Sequence, residues 1–276
     1  MDARHKVSAV HYRCSVRSAR TPRGDGLLYQ LYMRRLRRQL ADAIHPRHVA
    51  MILDGNRRWA RLRVGGTTAH GHRAGAEKIV EFLRWCDEAG VGVVTLYLLS
   101  TDNLTGRDGD ELHELITIIG ALASDLASID DWRVQHVGSR DGLPDDLIAE
   151  LDAAEQRGAQ QKGLHINLAV GYGGRREIAD AVRGIVHQHA DRGGTLDELA
   201  ELVTPEKIAE HLYTGGQPDP DLVIRTSGEQ RLSDFMLWQS AHSEFYFVEA
   251  LGPDLREVDF LRALRDFSRR QRRFGQ

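Results

Sequence analysis

Four short segments of this 276-residue chain combine glycine or serine with aspartate, asparagine and arginine in patterns that suit anion binding. Gly and Asn allow tight turns whose backbone N–H groups can face a phosphate, and Arg makes paired contacts to phosphate oxygens. Asp54, next to Arg57 and Arg58, suits Mg²⁺, which prefers one or two carboxylates together with substrate phosphates. The pattern predicts a diphosphate site centred on Asp54. The four segments are residues 54–59, 100–103, 171–176 and 225–233.

Each of these segments follows a short apolar run that predicts a β-strand. Amphipathic helical patterns lie between the runs, and the alternation predicts an α/β fold: a single domain with a mostly parallel six-stranded sheet flanked by helices. Ligands bind beyond the carboxyl ends of such strands, so we expect the four segments to converge at one edge. The predicted strands are residues 49–53, 93–99, 134–137, 165–170, 222–224 and 245–248.

Three helices have the clearest sequence signals. Apolar residues at helical spacing fill residues 112–126, a second pattern covers 76–89 and ends at Gly90, and a third begins near Asp259 as a predicted N-cap. Residues 191–220 are rich in Gly and Pro, and we expect loops around a short helix there.

Composition and charge exclude several classes of protein. The net charge of −3 gives no support to nucleic-acid binding, and two cysteines cannot form a disulfide framework. No apolar run approaches the roughly 20 residues that span a bilayer, and the N-terminus lacks the apolar stretch of a signal peptide. We therefore expect a cytoplasmic protein.

The first 50 residues are basic, with 11 Lys or Arg against three Asp. Residues 1–26 are polar and predict a disordered basic extension. Apolar residues then recur at helical spacing and predict an amphipathic helix at about 27–42, the first element of a domain that runs to residue 276. This helix either packs on the domain or contacts an anionic membrane from the cytoplasmic side, and the sequence leaves both open.

Taken singly, each motif has a plainer interpretation. Asp-Gly-Asn is most often a turn, and Trp59 more often belongs to a core than to a substrate platform. His70 and His72 form a metal pair only with further ligands, which the sequence does not place nearby. Glu244 lies in an apolar stretch, where a carboxylate needs a cationic or metallic partner.

Longer blocks carry a family resemblance. In chain order they are HVAMILDGNRRWA (48–60), GHRAGA (71–76), TLYLLSTDN (95–103), DLVIRTSGEQRLS (221–233) and LWQSAHSE (237–244). From about residue 47 to the end, this order of blocks resembles the cis-prenyltransferases, the undecaprenyl diphosphate synthase family. The resemblance implies a magnesium-dependent homodimeric enzyme that joins isopentenyl diphosphate to an allylic diphosphate.

The resemblance also implies a role for each matched position. Asp54 holds Mg²⁺ and helps the allylic diphosphate to depart, and Glu244 completes the metal site, either of its own chain or of the partner subunit. Ser100 and the second catalytic residue, Asn103, lie near the reacting carbons. Arg273 and Gly275 in the C-terminal tail complete the partner's active site. Two diphosphate sites remain: Arg225, Arg231 and Ser233 bind isopentenyl diphosphate, while the other substrate-binding positions are Gly55, Asn56, Arg57, Arg58, Trp59, His72, Asp102 and Arg107.

Departures from the family pattern suggest a short product. Leu98 occupies a tunnel position where the family usually has a small residue, and Leu104 replaces the usual Trp; both resemble the short-chain actinobacterial synthases of Z,E-farnesyl diphosphate. Thr67 and Thr68 stand where the family has an arginine that binds the allylic diphosphate. Geranyl diphosphate is the expected primer. The alternatives are a longer-chain polyprenyl synthase, an irregular head-to-middle condensation, and a non-catalytic partner subunit.

Overall fold

The computed structural model describes residues 26–63, 66–106 and 109–270. Residues 1–25 of the predicted extension lie outside this part, as do the predicted site residues Arg107, Arg273 and Gly275. The strands are β1 (His48–Ile52), β2 (Val93–Ser100), β3 (Arg133–Val137), β4 (His165–Tyr172), β5 (Leu222–Arg225) and β6 (Glu244–Phe247). The helices are α1 (Leu27–Leu40), α2 (Asn56–Leu62), α3 (Thr68–Glu88), α4 (Thr101–Gly106), α5 (Gly109–Leu126), α6 (Asp145–Gly158), α7 (Gly174–Asp191), α8 (Leu196–Leu202), α9 (Pro205–His211) and α10 (Glu257–Arg269).

The six strands form one sheet in the order β3-β4-β2-β1-β5-β6, and every pairing between them is parallel. This confirms the predicted fold class, and each predicted strand falls within about two residues of an observed one. All five residues of β1 are buried, as expected for a central strand covered on both faces. The carboxyl ends of β2, β1 and β5 are adjacent, which brings the segments after them together.

Two helix starts differ from the sequence expectation. Helix α3 begins at Thr68, where the Thr67 side chain accepts from the His70 N–H at 3.2 Å, and not near residue 76. Its first turns contain the small residues Ala69, Gly71 and Gly75, which give no apolar pattern. They let α3 pass close to α2, since a Cβ on Gly71 would lie 2.3 Å from the Asn56 carbonyl oxygen. Helix α10 begins at Glu257 with Arg256 at its N-cap position, so the prediction of Asp259 as N-cap was wrong; Asp259 instead accepts from Arg256.

Two segments contain more helix than the sequence predicted. Residues after β2 continue directly into the short helix α4, and residues 191–220, where one short helix was expected, include two, α8 and α9. Threonine N-caps start both, with the Thr195 and Thr204 hydroxyls accepting backbone N–H groups at 3.3 and 3.2 Å. Local capping chemistry therefore outweighs the Gly and Pro content of this region.

The core lies on both faces of the sheet. The larger cluster includes Leu36, Phe82, Leu96 and Ile119, and joins the sheet to α1, α3, α5 and α10. A smaller cluster lies on the other face, around Tyr172 and Phe235. Its buried members are Ala50, Ile52, Val137, Ala169, Tyr172, Val223, Phe235 and Met236. Within the described ranges, the structure contains no helix long and apolar enough to cross a membrane.

Candidate active site

A cavity of about 720 Å³ opens at the carboxyl ends of β1, β2 and β5 and extends between the sheet and helices α3 and α5. Its entrance is lined by charged and polar side chains, and its inner end by aliphatic ones. We call the entrance the mouth. Thirteen of the predicted site residues line the cavity: Asp54, Gly55, Asn56, Arg57, Arg58, His72, Leu98, Ser100, Asp102, Asn103, Arg225, Arg231 and Ser233.

Asp54 lies just past the end of β1, at the centre of the mouth. Its Oδ2 accepts from the Arg225 Nη2 at 2.7 Å, and its Oδ1 accepts from the Gly55 N–H at 2.6 Å. Burial raises the pKa of this carboxyl, but the Arg225 and Gly55 hydrogen bonds and the Arg225 charge outweigh it, so that the net pKa lies below its usual value. The side chain is 38% exposed, so an ionised carboxylate faces the cavity.

Gly55 makes the turn after Asp54 possible. Its φ of +97° is one that other residues rarely adopt, and an added Cβ would lie 2.9 Å from the Leu251 side chain. The tight turn leads directly into α2, which presents Arg57 and Arg58 to the mouth. Replacing this glycine would therefore displace the metal-binding candidate and the two arginines together.

Arg225, the last residue of β5, is only 4% exposed although its guanidinium is charged. Its Nη1 donates to the Ser233 Oγ at 2.8 Å and to the Arg231 carbonyl, while its Nε has no protein partner among the described residues. A buried guanidinium held at this point, with Arg231 also lining the cavity, makes the mouth electropositive. The arrangement suits a dianionic or trianionic group such as a diphosphate.

The segment after β2 is fixed by its own first turn. The Ser100 hydroxyl oxygen accepts from the Asn103 backbone N–H at 3.1 Å, which sets the start of α4. Asp102 and Asn103 consequently reach the cavity from the side opposite Arg225.

Helices α2, α3 and α5 meet at a second polar contact. The Glu111 Oε1, on α5, lies 3.5 Å from the Nε2 of the buried His72 on α3 and 3.9 Å from the Arg57 Nη1 on α2. One carboxylate thus bridges the three helices that frame the mouth.

The inner end of the cavity is apolar. Leu98 lies at an irregularity in the β2–β4 pairing, where the register shifts between Tyr97 and Leu99. It packs partly buried against the larger core cluster and lines the cavity together with side chains of α3 and α5, namely Ala76, Ile79, Leu115, Ile118, Ile119 and Leu122. A long apolar ligand with an anionic head matches this polarity.

Comparison with known proteins agrees with the architecture. Residues 52–275 match the family model described as putative undecaprenyl diphosphate synthase. This chain belongs to that family. The match includes every residue that lines the cavity.

Relatives within the family are similar over nearly their full length. The (2Z,6E)-farnesyl diphosphate synthase of Thermobifida fusca is 58% identical, over 90% of this chain and 97% of the relative. Isoprenyl transferase 1 of Streptomyces avermitilis is 55% identical, over 90% and 96%. The solved lavandulyl diphosphate synthase of Lavandula x intermedia, in complex with dimethylallyl diphosphate, is 34% identical, with a TM-score of 0.77 over 84% and 99% of the two chains. The chain is accordingly a prenyltransferase of the undecaprenyl diphosphate synthase family.

Two predicted site residues within the described ranges lie outside the cavity lining. The Trp59 indole N–H donates to the Asp254 Oδ1 at 2.9 Å, and the Arg63 guanidinium stacks 5.0 Å from its ring. Trp59 therefore ties α2 to the turn before α10, and its position does not support the predicted substrate contact.

Glu244 is the other exception. It is the first residue of β6 and pairs with Leu222 at the amino end of β5, whereas Asp54 follows the carboxyl ends of the strands. Its carboxylate binds Arg270, which is the cationic partner that the sequence required. Parallel register keeps Glu244 away from Asp54 of the same chain, so a shared metal site within one chain is ruled out.

The glycine-rich segment after β4 also behaves differently from the other three. Arg175 is almost fully exposed, and Arg176 forms ion pairs with Asp141 and Asp180. Since β4 lies beyond β2 in the sheet, its end supports residues 233–236 and contributes no side chain to the cavity lining. The four segments therefore do share one edge of the sheet, as expected, but this one supports its neighbours and does not line the cavity.

Among the polar side chains that line the cavity, sequence reasoning missed two, Arg61 and Tyr97. Arg61 follows Arg57 and Arg58 by one helical turn, a spacing that would have placed all three on neighbouring faces of α2. Tyr97 donates from its hydroxyl to the Ser233 carbonyl at 3.1 Å and stacks on Phe235 with 4.6 Å between ring centroids.

The mouth fits a magnesium ion held jointly with a substrate. Asp54 offers one ionised carboxylate at the cavity surface, and the described residues contain no cluster of three or more His, Cys, Asp or Glu that would form a metal cage. Mg²⁺ is commonly bound through one or two carboxylates, water and substrate phosphates. The donor set is thus complete only with a diphosphate present.

Proposed function

We propose that this prenyltransferase condenses isopentenyl diphosphate with geranyl diphosphate to give Z,E-farnesyl diphosphate and release diphosphate. The observation that carries the proposal is the cavity with a cationic mouth and an apolar end walled by Leu98. The Thermobifida fusca relative, named (2Z,6E)-farnesyl diphosphate synthase, supports the same substrate class.

The residues of the mouth form two sets, each of which binds one diphosphate. Arg225, Arg231 and Ser233 bind isopentenyl diphosphate, and the α2 turn from Gly55 to Arg58 binds the allylic diphosphate. Asp54 lies between the two sets, where it orients the groups that neutralise the leaving diphosphate. Bound Mg²⁺ would add charge neutralisation at this point.

The carbon chemistry requires a dry, shaped pocket. The C1–O bond of the allylic diphosphate breaks, C1 bonds to C4 of the isopentenyl unit, and a proton is lost from C2 of that unit. Because carbocation character develops at C1, aliphatic walls must exclude water. Ser100 and Asn103, at the junction of mouth and apolar end, orient the reacting carbons.

Two alternatives are less well supported. A longer-chain synthase needs room beyond Leu98, which here packs against the core. A non-catalytic partner subunit would not require Asp54, Arg225 and Arg231 to be assembled in one mouth, as they are in this chain.

Product sizing tests the proposal. Purified protein is incubated with labelled isopentenyl diphosphate, Mg²⁺ and dimethylallyl, geranyl or farnesyl diphosphate, and the products are separated by length and compared with Z,E, E,E and irregular standards. We expect geranyl diphosphate to be the best primer and a single C15 product of Z,E geometry. If no primer leads to incorporation of labelled isopentenyl diphosphate, the proposal that the protein is an enzyme is contradicted. Products of many isoprene units would contradict the proposal of a short-chain product.

We also propose that two copies of the chain associate through β6. This strand lies at the edge of the sheet and carries Phe245 and Phe247, whose rings stack with 6.4 Å between centroids and of which Phe247 is 37% exposed. An apolar edge strand left open favours association, and only a second copy could bring Glu244 near Asp54. Light scattering should give twice the chain mass, and Phe247→Lys should halve it.

The outward face of α1 supports peripheral contact with an anionic membrane. Met33, Leu36 and Leu40 pack on the domain, while the opposite face exposes Leu27, Leu28, Leu31, Arg34, Arg35 and Arg38. Within the described part of the chain, none of these three arginines lies within 4.0 Å of a carboxylate. Leucines beside unpaired arginines match acyl chains beneath acidic headgroups.

Flotation with vesicles tests this contact. Binding to vesicles containing acidic phospholipid should exceed binding to neutral ones and should fall when Leu28 and Leu31 are changed to Ser. The matched control changes Leu196 and Leu202, exposed leucines away from α1, in the same way. Equal losses for both pairs would contradict the proposal.

A further inference from the structure

Residues 233–236 hold an unusual backbone conformation at the edge of the mouth. Ser233, Asp234 and Met236 have φ values of +52°, +64° and +47°, a region that residues with a Cβ seldom adopt. Such conformations persist only where surrounding contacts impose them. The Ser233 hydroxyl oxygen accepts a hydrogen bond from the Arg225 guanidinium in the mouth. The contacts that hold this segment therefore also set the shape of that binding site.

The segment is held from beneath by the end of β4 and the start of α7. The Gly174 N–H donates to the Asp234 carbonyl at 2.7 Å, and the Met236 N–H donates to the Tyr172 hydroxyl oxygen at 3.2 Å. Tyr172 is 1% exposed, and its ring packs edge-on against Phe235. The buried Tyr172 hydroxyl therefore holds the C-terminal end of the segment at Met236.

Glu177 orients that phenol. Its carboxylate, 1% exposed, accepts the Tyr172 O–H, so the phenolic oxygen is left to accept from Met236. Glu177 also accepts from the Gln239 side chain at 3.0 Å and from the Tyr213 N–H at 2.9 Å. A carboxylate satisfied by three donors is rigid, and its acceptor character fixes the direction of the whole chain of hydrogen bonds.

We propose that Glu177, acting through Tyr172, is a positioning residue for the isopentenyl diphosphate site. It touches neither substrate in this arrangement, because it lies behind the segment that carries Ser233. The inference rests on the proposed function, which assigns isopentenyl diphosphate to Arg225, Arg231 and Ser233. Its consequence is selective: loss of the anchor weakens one substrate and spares the other.

Two variants test the anchor. Glu177→Gln keeps an oxygen for the Tyr213 and Gln239 donors but turns its N–H₂ toward the Tyr172 hydroxyl, which loses its acceptor. Tyr172→Phe keeps the ring but removes the acceptor for the Met236 N–H. Titration calorimetry measures binding of isopentenyl diphosphate alone and of geranyl diphosphate alone, each with Mg²⁺, so that no turnover occurs. We expect each variant to raise the Kd of isopentenyl diphosphate about tenfold, the scale of one lost hydrogen bond to a charged site, and that of geranyl diphosphate less than about twofold.

The double variant and a control separate positioning from general destabilisation. Both substitutions break the same connection, which runs from Glu177 through Tyr172 to the Met236 N–H. The double variant should therefore bind isopentenyl diphosphate about as weakly as Tyr172→Phe alone. Thr95→Val is the matched control: Thr95 is also fully buried and hydrogen-bonded, but it lies in the middle of the sheet. It should lower the melting temperature and leave both Kd values unchanged.

The outcomes distinguish this inference from the proposed function. If wild type binds neither diphosphate, the proposed function fails. If wild type binds both, and the two variants bind isopentenyl diphosphate as tightly as wild type or lose both ligands equally, Glu177 is only a core residue and the inference is overturned. Should Glu177→Gln not fold, Tyr172→Phe decides the matter, since its packing is preserved.

Discussion

Two polar clusters lie on the same sheet and have opposite characters. The first is the mouth around Asp54 and Arg225. The second, which we call the sheet network, joins side chains of neighbouring strands to one residue of the loop before β5. It consists of His48, Thr95, Gln135, Asn167 and Gln217. In the network, hydrogen bonds of 2.7–3.2 Å join one side chain to the next. In the mouth, the Arg225 Nε and the Asn56 Oδ1 have no protein partner within the described ranges.

The difference shows how burial of polar groups separates structure from function. A buried polar group that is fully hydrogen-bonded contributes to a defined core, whereas one left unpaired costs free energy unless a ligand completes it. At the edge of the mouth, Ser233, Asp234 and Met236 adopt the left-handed backbone conformation. We therefore expect substitutions in the mouth to change turnover and binding, and substitutions in the network to change stability.

Asp54→Asn should give the largest effect. It keeps the shape of the side chain but removes the charge between the two diphosphates, so kcat should fall at least about a hundredfold while KM for either substrate changes less than about threefold. Steady-state kinetics check this, with circular dichroism to show that the fold is retained. Thr95→Val should do the reverse, lowering the free energy of unfolding with kcat nearly unchanged; equal effects on kcat would remove the distinction between the clusters.

The network should also govern acid stability. Burial lowers the pKa of His48 to about 4, despite its hydrogen bond to the Pro218 carbonyl. The His48 imidazole therefore takes up a proton near pH 6.5 in the unfolded chain but only near pH 4 in the folded chain. Its contribution to the free energy of unfolding is complete above pH 6.5 and is lost as pH falls toward 4. Its size is about 3 kcal/mol.

Urea unfolding between pH 7.5 and 4.5 measures this contribution. His48→Asn should flatten the decline of the unfolding free energy with acid, while His113→Asn, at an exposed position, should not. An unchanged decline in the His48 variant would show that the pH dependence arises elsewhere.

Arg61→Ala should give the smallest effect in the mouth. Arg61 lines the cavity on α2, and we propose that it binds the allylic diphosphate in place of the arginine that the family has near Thr67 and Thr68. Removing this single guanidinium should raise KM for the allylic diphosphate roughly fivefold and leave KM for isopentenyl diphosphate unchanged. Arg84→Ala, an exposed residue of α3 away from the cavity, is the control, and an equal change there would contradict the assignment.

The sequence predicted most of the sheet and of the mouth because both depend on local signals. Strands β1, β2 and β5 are continuous apolar runs, and the residues that follow them share one edge once the strands are parallel. This alone placed Asp54, Ser100 and Arg225 together.

Other features depend on contacts between distant segments and had no local signal. Glu244 lies at the amino end of the sheet because of the β5–β6 register, and Trp59 turns toward Asp254, 195 residues later. The left-handed backbone of residues 233–236 follows from Tyr172 and Glu177, which packing alone brings beneath it. The roles of Arg107, Arg273 and Gly275 stay predictions.

The product length of Leu98→Ala tests most directly whether the apolar end of the cavity sets the size of the product. Leu98 walls that end, and removing its side chain opens space because packed interiors relax only partly. Leu126→Ala, a buried residue of α5 that does not line the cavity, is the matched control. We predict C15 products from wild type and Leu126→Ala and longer products from Leu98→Ala; an unchanged C15 product from Leu98→Ala would contradict this mechanism.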